Sequence, residues 1–179
     1  MIRAPAHRSF ARARGGIAAV EFALILPVLV LLFFGLIELS EGTAVRGRME
    51  TTVSTVSDLV AQANKITNNE RDNIFNAAKA IMYPYSATGV GIRISSLIDD
   101  GTGKGKVQWS DAQNWTALAV NTVQTVPAGV IATGGTVILA EVKYTYTSPL
   151  KYVLPAPVDM SSKFYSRPRR TVAITRSAT

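Results

Sequence analysis

The sequence predicts an α+β protein in which a long N-terminal helix packs on a small antiparallel sheet. Three observations support this. The apolar run from Ile17 to Ile37 is interrupted only by Glu21. The next segment, to about residue 66, repeats apolar residues at helical spacing, and beyond residue 90 the apolar period changes to two. We therefore expect one half of the helix in a membrane and the other half on the domain.

The apolar run is long enough to cross a membrane. A helix over these 21 residues measures about 31 Å at ~1.5 Å per residue, close to the ~30 Å of bilayer hydrocarbon. Glu38 and Glu41 follow the run and would lie at its far surface. We predict a basic leader at residues 1–16, a transmembrane helix at 17–39 and an exported α+β domain at 40–179.

The distribution of charge predicts the orientation of the helix. The chain has a net charge of +7, and four of its arginines lie in the first 16 residues, which contain no acid. Basic residues before a span favour a cytoplasmic N-terminus, so the domain is expected on the opposite side. Because the excess of basic residues is explained by membrane topology, we expect no nucleic-acid partner. The four arginines are Arg3, Arg8, Arg12 and Arg14.

An ordinary secretory signal fits the N-terminus less well. Its apolar region spans about 7–15 residues and ends in small residues before the cleavage site. The run here is longer, contains Glu21 and ends in a segment with two glutamates.

The sequence offers little for catalysis or metal binding. It contains no cysteine, and its one histidine, His7, lies in the leader. The glycine-rich segment 101–106 lacks the phosphate-loop pattern, and Asp99, Asp100 and Asp111 lack the spacing of a calcium-binding loop. We expect no enzymatic activity, no metal and no cofactor.

Glu21 and Gly16 suggest that the apolar helix does more than anchor the chain. A charged side chain costs about 2.5–3.5 kcal/mol at the membrane centre and less near the surface, so Glu21 is expected to have a positive partner. Cleavage after Gly16 would create an amine on Ile17, four residues before Glu21 and one helical turn away. The amine of a neighbouring copy would serve equally well. The alternative is an uncleaved signal anchor with an incidental glutamate.

Two further residues interrupt the regular helix pattern. Pro27 removes one backbone hydrogen bond, which predicts a kink or local loosening near residues 23–27. Gly35 has no second small residue at helical spacing, so we expect simple accommodation there.

The domain is expected to contain two helical segments before its strands. The first continues the membrane helix to about residue 66 and carries one apolar stripe. The second covers Glu70–Met82 and is capped by Asn68 or Asn69. The stripe consists of Val45, Met49, Val53, Val56, Val60 and Ala63.

The strands are predicted from apolar alternation. Residues 90–98 form the first, with Ile92, Ile94 and Ile98 facing the core, and a hairpin loop at 99–105 leads to a partner strand at 106–110. Residues 138–146 form the clearest strand. Trp109 and Trp115 are expected to flank a surface segment. The pattern of residues 116–126 is compatible with a helix or a strand. Residues 148–159 are predicted to form an irregular loop, and closing strands are predicted at 164–165 and 171–175.

Several of these segments resemble a known family. The string R-x-R-G-G-I-A-A-V-E-F-A-L-I-L-P-V-L, residues 12–29, is similar to the processing site of type IV prepilins and to the TadE/TadG-like proteins. These are minor pilins or pseudopilins of the tight-adherence (Flp) pilus system. Segments 141–149 and 166–170 are similar to that family's strand with paired tyrosines and its closing Arg-Pro-Arg segment. The resemblance implies a pilin-like fold.

The resemblance also implies processing and partners. A prepilin peptidase, an aspartyl protease of the inner membrane, would cleave between Gly16 and Ile17. Glu21 and Phe22 would act in assembly with the major Flp pilin, other minor pilins and the inner-membrane assembly platform. The domain would then be periplasmic or part of an extracellular pilus.

Alternatives to a processed pilin remain. The principal one is an uncleaved, signal-anchored binding or adhesin domain. A type II secretion pseudopilin fits the C-terminal segments less well. The long relatives with a von Willebrand-type domain also fit less well, because the body is short and contains no Asp-x-Ser-x-Ser metal motif. Independently, Arg167, Arg169 and Arg170 are expected to contact an anionic partner or to be simply solvated.

Overall fold

The computed structural model describes residues 15–178. Residues 1–14 of the predicted leader lie outside the described residues. They include the four arginines and His7. The described chain contains α1 (Gly15–Ala61), β1 (Lys65–Ile66), α2 (Asn68–Ile81), a 3₁₀ turn (Ala87–Gly89), β2 (Gly91–Asp99), β3 (Gly105–Gln113), β4 (Val123–Gln124), β5 (Thr136–Tyr146), β6 (Val158–Ser166) and β7 (Thr175–Arg176).

The long helix and a small antiparallel sheet form the predicted α+β arrangement. The main sheet has the strand order β4-β3-β2-β5-β6, and every neighbouring pair is antiparallel. A separate parallel pair joins β1 to β7. The second half of α1 contacts β5, β6 and α2, so the helix covers one face of the sheet.

The predicted apolar stripe of α1 is the centre of the main core. Its residues from Val45 to Val60 are at most 2% exposed, and Ala63 packs against the same cluster. They meet alternate residues of the central strands, because side chains two positions apart point to the same face of a sheet. The strand residues in this layer include Ile92, Ile94, Ile138, Ala140 and Val142.

A second, smaller apolar cluster lies on the opposite face of the sheet. It joins Leu97 of β2, Val107 of β3 and Val137 and Leu139 of β5, and the segment that contains Val126 and Ile131 covers it. Both faces of β5 are therefore buried in part, which explains the apolar residues between its inward-facing positions.

The prediction that the first helix continues to about residue 66 was wrong, since α1 ends at Ala61. The N–H of Arg169 donates to the carbonyl of Ala61 at 2.9 Å and so satisfies one terminal acceptor of the helix. Beyond it, Lys65 and Ile66 pair with β7, and Ile66 is fully buried. This pairing requires extended backbone.

The second helix begins two residues earlier than predicted, and Thr67 caps it instead of an asparagine. The hydroxyl of Thr67 accepts the N–H of Glu70, and the carboxylate of Glu70 accepts the N–H of Thr67 at 2.7 Å. This is the reciprocal capping box of the Thr-x-x-Glu pattern. The helix buries Ile74, Phe75 and Ala78.

The prediction for the first hairpin was correct in outline and wrong in two residues. Ile98 is only half-buried, and Trp109 is buried, with its ring N–H donating to the carbonyl of Ile174 at 2.7 Å. The pairing register of β2 and β3 shifts between Ser96 and Leu97. The shift lets Trp109 face the main core while Val107, two residues earlier, faces the second cluster.

The C-terminal strands differ in length from the predictions. The long strand β6 begins at Val158, inside the predicted irregular loop, and pairs with β5 along nine positions. The last strand is only Thr175–Arg176, and the guanidinium of Arg176 is paired with Asp111 at 2.6 Å. The ambiguous segment 116–126 contains only the short strand β4.

Candidate functional site

The first part of α1 extends away from the domain. Every residue from Gly16 to Phe33 is exposed, and the apolar window of the helix is not covered by any other part of the described chain. Among residues 15–178, α1 is the one helix long and apolar enough to cross a membrane. Gly15 and Gly16 already belong to the helix.

The predicted processing and pairing residues share this uncovered segment. Ile17 and Phe22 are 62% and 57% exposed, and a Cβ on Gly16 would meet nothing within 4 Å. Glu21 is exposed as well, and within the described residues it forms no ion pair or side-chain hydrogen bond. Ile17 and Glu21 lie one helical turn apart on the same face.

Pro27 lies inside one continuous helix. α1 is unbroken from Gly15 to Ala61. No part of the described domain packs against the helical turns before and after Pro27. The kink remains a prediction.

The first contact between the domain and the helix is made by residues 148–154, which we call the 148–154 loop. The ring of Tyr152 stacks on that of Phe34, with 5.2 Å between centroids and 8° between planes. A Cβ on Gly35 would lie 3.2 Å from a methyl carbon of Val153, so Gly35 allows the loop to approach closely. Gly35 is therefore a contact residue of the loop, a role that its position in the sequence did not predict.

Glu38 attaches this loop to the helix. Its side chain is 1% exposed, and its two carboxylate oxygens accept the backbone N–H groups of Tyr152, Val153 and Leu154 at 2.7, 2.9 and 2.8 Å. Three N–H donors on one carboxylate offset much of the cost of burying its charge. Glu38 is therefore a structural residue of the joint between helix and domain.

From the sequence, Glu38 was expected only to lie at the membrane surface, and its role in this joint was not predicted. The donors are backbone groups more than 100 positions away, which leave no signature in side-chain identity. The one available signal was a glutamate at the end of an apolar run, followed far along the chain by a proline-rich apolar segment.

The arginines near the C-terminus have different roles. The guanidinium of Arg167 donates to the carbonyls of Gly129 and Val130, at 3.1 and 3.3 Å. Arg169 pairs with Asp58 at 2.6 Å. Arg170 is exposed and has no side-chain partner among the described residues. Of the three, only Arg170 is fully available to an anionic partner.

Two of the three aspartates that lack the calcium-loop spacing, Asp99 and Asp100, organise the hairpin loop. Asp99 accepts the N–H groups of Gly103 and Gly134, and Asp100 accepts both the hydroxyl and the N–H of Thr102. The hydrogen bonds from Thr102 lower the pKa of Asp100 below its ordinary value of 3.8. Within residues 15–178 no group of three or more potential ligands is positioned to hold a metal ion.

Comparison with known proteins identifies the helix. Residues 16–57 match the family model described as TadE-like protein, which covers the uncovered half of α1 and most of its packed half. No curated protein and no solved structure matches the chain. The match associates the protein with the Tad pilus system. The similarity to TadE-like proteins is therefore a property of α1, and the sheet domain lies outside the match.

Proposed function

We propose that the protein is a minor pilin or pseudopilin that helps to assemble a tight-adherence pilus, by priming it or by occupying its tip or base. One observation carries the proposal. The helix from Ile17 to Phe33 is uncovered, and its single charge, Glu21, has no partner within the described part of the chain. A helix of this kind can pack lengthwise against other apolar helices while the domain remains outside the bundle.

Processing would complete the assembly surface. Cleavage after Gly16 by a prepilin peptidase creates an amine on Ile17, and this amine can pair with Glu21 of the same or an adjacent subunit. Phe22 is next to Glu21 and would contribute to the same helix contact. The partners are then the major Flp pilin, other minor pilins and the inner-membrane assembly platform.

The proposed orientation places the N-terminus in the cytoplasm and the sheet domain in the periplasm. It is supported by the four leader arginines, since basic residues are retained on the cytoplasmic side. The protein is then a single-pass inner-membrane protein before any incorporation into a pilus. An acidic partner outside the membrane would meet Arg170, because Arg167 and Arg169 are engaged within the domain.

Intact-mass analysis of the protein extracted from membranes tests processing. We expect an N-terminus at Ile17, with or without methylation, and an intact leader when Gly16→Leu is expressed. Gly47→Leu is the matched control, because a Cβ on either glycine meets nothing within 4 Å on the same helix. Recovery of Met1 or Ile2 as the N-terminus from piliated cells would contradict the proposal and favour an uncleaved, anchored binding domain.

A further inference from the structure

We infer that the 148–154 loop lies in the interfacial layer of the membrane that α1 crosses, with Tyr152 and Val153 at the boundary between headgroups and acyl chains. The partner is therefore lipid, on the side of the membrane away from Ile17. The inference rests on α1 spanning the membrane, which is part of the proposed function, and is independent of pilus assembly.

The length of the uncovered helix brings the loop to the membrane. Ile17–Phe33 contains 17 residues, about 26 Å at ~1.5 Å per residue, while the hydrocarbon layer is ~30 Å thick. The remaining thickness has to be crossed by residues 34–37, which are also apolar. These residues include Phe34 and Gly35, on which the loop packs. The loop is therefore at membrane depth whenever the apolar run is fully inserted.

The backbone of the loop is suited to a layer with little water. From residue 149 to 155, each position is a proline or has an N–H group with an acceptor inside the protein. Ser148 accepts the N–H groups of Leu150 and Lys151, each at 3.3 Å, and Glu38 accepts the next three. Irregular backbone at membrane depth needs acceptors of this kind for its N–H groups.

The exposed side chains of the loop have the composition of a membrane interface. Tyr152 is 67% exposed and Val153 is 50% exposed, beside an exposed Lys151. Residues 147–158 contain no acidic side chain. Tyrosine is enriched at the interface because its ring is apolar and its hydroxyl is polar, and a lysine there can reach lipid phosphates.

The absence of cysteine from the sequence makes a direct test possible. Nitroxide labels are attached to single cysteines in the full-length protein, reconstituted in vesicles of phosphatidylethanolamine and phosphatidylglycerol. Val153→Cys reports on the loop, Leu29→Cys on the span, and Lys104→Cys on the opposite end of the sheet. That end is identified by the pairing of β2 with β5, in which Ile98 lies beside Thr136 and Gly91 beside Lys143.

We expect the label at position 153 to be several-fold less accessible to a water-soluble nickel chelate than the label at 104, and more accessible to oxygen. Tyr152→Cys provides a second loop site. Both substitutions keep the loop attached, because the bonds to Glu38 are made by backbone N–H groups. If the labels at 153 and 152 are as accessible to the chelate as the label at 104, while the label at 29 is protected, the loop placement is wrong and the membrane span stands. Exposure of position 29 as well would overturn both the span and the loop placement.

Discussion

The carboxylate of Glu38 accepts the backbone N–H of Tyr152 at 2.7 Å, although the two residues are 114 positions apart. Together with the bonds to Val153 and Leu154, this contact fixes the domain at one height on α1. The hydrogen bond between Ser57 and Ser166, at 2.6 Å, provides a second attachment further along the same helix. Two attachments on one helix restrict how the domain can tilt relative to α1.

Replacement of Glu38 should loosen the joint. Glu38→Ala leaves three N–H groups without their acceptor, and we expect a loss of about 2–4 kcal/mol of local stability, since bonds to a charged group contribute about 1.5–3 kcal/mol each and the loop can partly rehydrate. Hydrogen exchange at residues 152–154 should accelerate by about 30-fold or more, since about 1.4 kcal/mol corresponds to a factor of ten. Mass spectrometry of the full-length protein in micelles measures this.

Glu41→Gln is the matched control for that experiment, because Glu41 is exposed on the next turn of the same helix. It should leave exchange in the loop unchanged. Glu38→Gln should be intermediate, since the amide keeps one acceptor oxygen and directs its NH₂ group toward the remaining donors. Equal exchange in Glu38→Ala and the unmodified protein would show that the loop is held by the Phe34 and Gly35 contacts alone.

The extent to which the sequence predicts this structure depends on the range of the interactions involved. The α1 stripe and β5 were predicted correctly because their signals are local periodicities. The early end of α1, the shifted register beside Ser96 and the role of Glu38 depend on segments distant in the chain. No local pattern contains that information.

The residues of the candidate site also differ in whether their signal is local or depends on distant segments. Gly16, Ile17 and Glu21 are proposed from the sequence because their spacing is itself the signal, and their roles stay predictions. Phe34 and Gly35 could not be identified as contact residues, because an apolar side chain and a glycine are ordinary in a membrane span. Their role becomes visible only when Tyr152 and Val153 pack on them.

The domain should fold without the membrane half of α1. A fragment from Gly42 keeps the buried stripe from Val45 to Val60, so we expect a soluble monomer with cooperative unfolding that chelators do not alter. A fragment from Leu36 also keeps Glu38. Amides of residues 152–154 should be protected in the longer fragment and exchange freely in the shorter one, as measured by NMR. Equal protection in both, or unfolding by a chelator, would contradict this expectation.

The capping box of α2 should make stability depend on pH. The N–H and hydroxyl of Thr67 lower the pKa of Glu70 below its ordinary value of 4.5. Because the folded state favours the ionised form, this stabilisation is present above about pH 4.5 and disappears as pH falls through the lowered pKa. Urea unfolding of the Leu36 fragment should therefore show Glu70→Gln less stable than the parent at pH 7, with the gap narrowing at acidic pH.

Two variants complete the capping experiment. Thr67→Ala should cost about 1 kcal/mol at pH 7, the usual value for an N-cap side chain. Asp72→Asn removes a carboxylate from the same helix turn without altering the capping box and should not reproduce the pH dependence. A gap between Glu70→Gln and the parent that persists at acidic pH would show that the effect does not come from the ionised carboxylate.

The last prediction is that Glu21 acts in assembly and not in folding. It is exposed on the uncovered part of α1, so a lone copy can stay solvated near the interface at moderate cost. Helix packing excludes water, and an amine on Ile17 of an adjacent subunit would then offset the desolvation of the carboxylate. Glu21→Gln should therefore keep cleavage and insertion but lose piliation, and Glu21→Asp, shorter by one methylene, should be intermediate.

Cross-linking to pilin subunits in cells is the measurement, made on Glu21→Gln after its cleavage and insertion have been verified. Glu41→Gln provides the control, because it removes the same charge from the same helix outside the apolar run. It should cross-link and support piliation at the unmodified level. The same result for Glu21→Gln would show that the carboxylate has no pairing role, and an anchored domain that never assembles would then be the better explanation of the uncovered helix.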